Sequence, residues 1–276
     1  MRREASVVVL VSVLVMACGE EAAPTPPPTT PEAPPIVEPA DPVVPPSTPT
    51  PEPSPSSARS LMQGHFARAT SAHDAIVRAD MDTARADMAW LATHQEGDAL
   101  PENLQPLLVA MQAEAARFAE ATTLTEAGTA YARMLVRCGA CHTTSHGGPE
   151  IAQTPIPEGD TPEARMRRHQ WASDRMFDGL VMADPAIFRA GNDALTSVPL
   201  TQTELPSTAG QPAEQVVGLT THVRELGAEA ATAADDEARA SIYGRYLATC
   251  GTCHRLLEGG APAALEPSPA PPAMPQ

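Results

Sequence analysis

The sequence predicts an all-α protein: two tandem four-helix bundles, over residues 59–158 and 159–259, behind a disordered proline-rich tether. Three observations predict it. Ala, Leu, Met, Arg and Glu dominate from Ser60 to Gly259, while β-branched runs and hairpin dipeptides are missing, so strands have no support. The same stretch is an internal duplication. Met62 to Ala92 superposes without a gap on Met166 to Thr196, matching Met62 to Met166, His65 to His169, Asp74 to Asp178 and Asp80 to Asp184. Further on, Tyr131, Arg133, Leu135, Cys138, Gly139, Cys141 and His142 superpose on Tyr243, Arg245, Leu247, Cys250, Gly251, Cys253 and His254. The second copy carries eight more residues, near the loop Val198 to Glu214. The third observation is the punctuation. Thr161-Pro162-Glu163, Asp184-Pro185 and Gln211-Pro212 each place proline in a first helical turn.

These signals divide the first copy into helices over about 60–79, 81–94, 103–120 and 124–142. The second divides over about 162–182, 185–197, 212–232 and 235–254. Asp80 and Asp184 stand at the junction of the first two helices of each copy, where an aspartate caps exposed N–H groups.

The last helix of each copy ends in a Cys-X-X-Cys-His pentapeptide, Cys138-Gly-Ala-Cys141-His142 and Cys250-Gly-Thr-Cys253-His254. That spacing is the attachment signature of c-type haem. Two thiols add across the porphyrin vinyl groups and the adjoining imidazole binds the iron. Two covalently bound haem c groups are therefore expected, with His142 and His254 as proximal ligands. A zinc site built from the four cysteines is the competing reading, and it leaves both histidines without a role. Aromatic residues make up 3% of the chain, so side chains alone offer a thin core, and buried macrocycles would supply the missing apolar area.

Four short helices with the haem motif at the end of the last resemble the class II cytochromes c, the cytochrome c-prime family. The resemblance implies an antiparallel bundle, with the haem between helices and the sixth iron position facing the first helix. His65 and His169 are then the candidate distal ligands, with Met62 and Met166 three residues away on the same face as alternatives. An open sixth site is the remaining possibility. Tyr131, Leu135, Tyr243 and Leu247 fall on the face of the last helix expected to line the haem pocket. Arg133 and Arg245 point sideways, where a guanidinium pairs with a propionate or simply stands in solvent. His73 matches Phe177 and reads as packing; His146 reads as a solvent-exposed loop residue, and His94 and His222 have no counterparts.

Residues 1–17 read as a leader: a positive Met1-Arg2-Arg3, an apolar stretch too short to span a bilayer, and Val15-Met16-Ala17-Cys18, which resembles a bacterial lipobox. The resemblance implies a lipoprotein cut before Cys18, lipidated there, and held on the periplasmic side of a membrane; Gly19 favours the outer membrane. Residues 18–58 are rich in Pro, Thr, Ser and Glu and read as a linker, and 260–276 as a disordered tail.

The net charge is −16, which argues against nucleic acid and suits either redox partners with a basic docking face or simply the solubility of an exported protein. No convergent acid, base and nucleophile is visible. The expected function is thus single-electron transport by a membrane-tethered dihaem cytochrome, not catalysis. A gas-binding module or a dihaem peroxidase-like enzyme is the alternative, and either requires an exchangeable sixth position.

Overall fold

A computed structural model describes residues 55–94, 100–152, 154–197 and 213–256. The expected leader, Cys18, the linker up to residue 54 and the tail over 260–276 lie outside the described residues. Eight α-helices account for most of the described chain, with no strand among the described residues. They are α1 (Pro55–Val77), α2 (Met81–Thr93), α3 (Gln105–Glu120), α4 (Leu124–Ser145), α5 (Pro162–Val181), α6 (Pro185–Ser197), α7 (Ala213–Ala230) and α8 (Asp236–Leu256). The described residues are all-α, as the composition predicts.

Local chemistry sets the ends. Asp80 and Asp184 cap α2 and α6: the Thr83 N–H donates to Asp80 Oδ1 at 3.2 Å, and the Ala186 N–H donates to Asp184 Oδ1 at 2.8 Å. Thr123 and Glu126 form a reciprocal capping box at the start of α4, and Thr161 caps α5 ahead of Pro162. Helix α1 begins at Pro55, inside the expected linker, because proline is well tolerated in a first turn where its missing N–H has no intrahelical partner. The α4 helix runs past the haem-type motif to His146, whose left-handed φ of 53° ends it. Both first helices stop in the same way. Ala79 (φ 57°) and Ala183 (φ 51°) turn left-handed, and the N–H groups of Asp80 and Asp184 reach back to Ala75 O and Gly179 O, each at 2.8 Å.

Packing follows the chain order around a ring. Each helix lies on its neighbours, α8 returns to α1, and α4 and α8 pack on one another through the middle. That central crossing is close because Gly128 and Gly244 face each other; a Cβ on either would run into the other's backbone. One hydrophobic core runs through both copies, from Leu61, Ile76, Met88 and Phe118 to Met176, Phe188, Leu226 and Tyr246. In neither copy does the first helix pack mainly on the last helix of its own copy: α1 prefers α8, and α5 prefers α4.

No described helix is long and apolar enough to cross a membrane.

Candidate functional site

The ends of the first helices shape both cysteine–histidine motifs. His142 and His254 lie in the last turns of α4 and α8. Neither imidazole is oriented by its own copy. His142 Nδ1 lies 2.9 Å from the carbonyl oxygen of Val181 at the end of α5, and His254 Nδ1 lies 2.7 Å from that of Val77 at the end of α1. The final carbonyls of a helix have no intrahelical partner, so they are ready acceptors for a ring N–H. Donation from Nδ1 fixes the tautomer and leaves Nε2 with its lone pair free, the arrangement a metal-ligating histidine uses. Burial lowers the pKa of both rings, and the Arg78 guanidinium lowers that of His254 further, so the neutral, ligating form is favoured.

The glycine of each motif makes the approach possible. A Cβ at Gly139 would collide with Leu180 O, and one at Gly251 with Ile76 O. The two sites are therefore built alike, each joining one copy's last helix to the other copy's first.

Burial pushes the Cys138 and Cys250 thiols up to about 12 and raises those of Cys141 and Cys253 as well. Such thiols are protonated at neutral pH, which makes them poor nucleophiles. Among the described residues no group of three or more His, Cys, Asp or Glu side chains is placed to hold a metal ion, so the four cysteines do not form one tetrahedral donor set.

The second site opens into a cleft of about 930 Å³ of empty space, measured out to bulk solvent. Met166 and His169 of α5 line it together with Cys250, Cys253 and His254 of α8. Val77 and Arg78 of α1 and Leu219 and Val223 of α7 complete the walls. Two cysteines, two imidazoles and a thioether thus line one mostly apolar cleft. In the first copy, His65 is buried in α1 with its ring edge-on to Trp90 and His94, at centroid separations of 5.8 and 5.9 Å. Its Nε2 is buried with no hydrogen-bond partner, and desolvation, with His94 nearby, lowers its pKa to about 4. A buried neutral imidazole with an unused lone pair is a metal-ligand candidate. Met62 is partly buried against the core.

Tyr131, Leu135, Tyr243 and Leu247 are fully buried in the shared core. The two phenols anchor the first helices: Tyr131 OH donates to Ala69 O at 2.8 Å, and Tyr243 OH to Ser173 O at 3.1 Å. Arg133 and Arg245 are occupied by carboxylates, Glu237 of the other copy and Glu229 respectively. Arg78, which sequence reasoning passed over, stands on the cleft wall instead. So does His73. It read as packing, yet it is hydrogen-bonded to Ser173 and lines the cleft. The signal available in the sequence was the pairwise change from Ala69 and Phe177 in one register to Ser173 and His73 in the other.

No family model, no curated protein and no solved structure matches the chain.

Proposed function

We propose that this chain is a dihaem c-type cytochrome that carries single electrons between redox proteins in the cell envelope, exported and held at a membrane by lipid on Cys18. The observation that carries the reading is the pair of Nδ1-to-carbonyl contacts, from His142 to Val181 and from His254 to Val77, at both Cys-X-X-Cys-His motifs. Haem, when bound, supplies the one-electron ferrous–ferric couple. The protein's part is attachment through Cys138, Cys141, Cys250 and Cys253, orientation of the proximal imidazoles, and exclusion of water by the helices around them. His65 and His169 take the sixth positions. Support comes from the unpartnered Nε2 of His65 and from the place of His169 on the same cleft wall as the second motif. Met62 and Met166 are the alternative ligands. The tandem duplication, with the motif at the end of each fourth helix, supports a class II cytochrome c ancestry, although here the C-terminal end of each first helix serves the other copy's motif. With a net charge of −16, the docking partner is a protein with a basic face.

Covalent haem counted after acid–acetone extraction tests the reading: two per chain are expected, and Cys253→Ala should lose attachment at its own site only. Bound zinc or a single haem overturns it. His65→Ala should open one reduced haem to carbon monoxide. Rapid carbon monoxide binding by the unaltered protein would replace electron transport with a gas-binding role.

A further inference from the structure

The two sites are built on one plan, and one charged position departs from it. Val77 and Val181 are matched residues of the duplication, and their carbonyl oxygens stand 2.7 Å from His254 Nδ1 and 2.9 Å from His142 Nδ1. The next residue differs. It is Arg78 after Val77 and Met182 after Val181, at one position of the gapless alignment of the first helices.

Arg78 belongs to the second site, where it lines the cleft with Val77, Cys250, Cys253 and His254. Its charge is felt by the ring: burial lowers the pKa of His254, and the Arg78 guanidinium lowers it further. Met182 takes the same place at the first site. A Cβ on Gly148 would stand 3.3 Å from both the Met182 sulfur and His142 Cγ, so thioether and imidazole flank one point. The lowered pKa of His142 comes from burial, opposed by the Val181 carbonyl, and no charged side chain contributes.

A cation that simply favours a helix C-terminus would be the plain explanation, but the duplication supplies a control. Helices α1 and α5 end at matching left-handed alanines, Ala79 and Ala183, and α5 does so with Met182 before the turn. The turn therefore needs no cation. Carboxylates do not distinguish the sites either, because Asp74 and Asp80 recur as Asp178 and Asp184. Asp74 is bonded to His73, and Asp80 to the Thr83 N–H. Arg175 of α5 is held by Asp178 at 3.0 Å and by Ala152 O at 2.9 Å.

We propose that Arg78 raises the reduction potential of the second site, and that Met182 in the matching position leaves the first without that lift. This rests on the dihaem reading. The step is transfer of one electron from a donor redox protein to ferric iron, giving ferrous iron, with no bond made and no proton moved. A fixed cation disfavours the more positive, ferric state, and arginine keeps its charge throughout the working pH range. Arg78 thus biases an electron shared between the sites toward the open cleft. Its side chain is exposed, so water and salt screen the effect and keep it modest.

Redox titration of the full-length protein tests this, with both haem couples followed by absorption at one fixed pH and low salt. Arg78→Met should lower one couple by roughly three- to tenfold in its equilibrium constant, about 28–59 mV for one electron, and leave the other in place. Met182→Arg should raise the other couple by a similar factor. Arg78→Lys keeps the charge and should stay close to the wild type. The difference between wild type and Arg78→Met should shrink in about 1 M salt, which the loss of a packing contact would not do. If Met182→Arg is unstable, the Arg78 variants decide, since that side chain is exposed. The proposal is overturned if Arg78→Met moves neither couple or both equally, if Arg78→Lys falls as low as Arg78→Met, or if the difference ignores salt. Absence of covalent haem, seen before any titration, would overturn the dihaem reading itself, whereas two haems indifferent to Arg78 overturn this proposal alone.

Discussion

Asp178 shows how one buried side chain ties stability to pH. Its carboxylate lies 3.0 Å from the Arg175 guanidinium, with both side chains nearly enclosed. Burial nonetheless outweighs the cation and, with Asp174 nearby, raises its pKa from 3.8 to about 7. A carboxyl whose folded pKa lies above its unfolded value favours folding in its protonated form. Its contribution is present in full at low pH and is lost as pH rises through about 7. As pH falls from about 8 to 5, the stability of the wild type relative to Asp178→Asn should therefore rise, while the lowered pKa values of the buried His65, His142 and His254 pull both proteins the other way. A difference in melting temperature between the two proteins that stays constant over that range would contradict the assignment. At this scale the sequence was legible where chemistry is local: the cysteines and histidines of each pentapeptide, and the capping aspartates. It was silent on His73, because Ser173, the partner that gives the ring its role, lies 100 residues away.

Helices were read well because their ends are set by neighbours in sequence. Asp80, Thr161 and Asp184 cap where the sequence places helix starts, and the expected and observed bounds differ by only a few residues. Less legible were the left-handed alanines that end α1 and α5, since nothing about alanine announces that conformation. A left-handed φ costs an L-residue with a Cβ about 1 kcal/mol, which glycine avoids. Ala79→Gly and Ala183→Gly should each stabilise by roughly 0.5 kcal/mol after the entropy of the freer unfolded chain is subtracted, raising the melting temperature by about 1–2 °C. Thermal unfolding of each single variant checks this; a clear loss of stability would mean that the methyl groups contribute more through packing than their conformation costs.

The ring of eight helices was beyond the reach of sequence patterning, which shows that a helix has an apolar face but not which helix covers it. The amphipathic face of α1 would suit either α4 or α8, and only the three-dimensional arrangement assigns it to α8. Two copies that duplicate one bundle can close separately or share their first helices, and here each first helix is bonded to its own last helix through a tyrosine while its end orients the histidine of the other copy. Sharing leaves each half without a contact it needs. A fragment ending near residue 153 lacks the Val181 carbonyl that orients His142, and the remainder lacks the Val77 carbonyl that orients His254. Cleavage between α4 and α5 should therefore leave the two pieces associated. The pieces expressed separately should lack a cooperative thermal transition as monomers and regain it on mixing. Circular dichroism melts and the mass in solution of each fragment, alone and combined, measure this. A monomeric fragment that unfolds cooperatively by itself would show that the copies close independently, and that the shared core is not what holds either motif in shape.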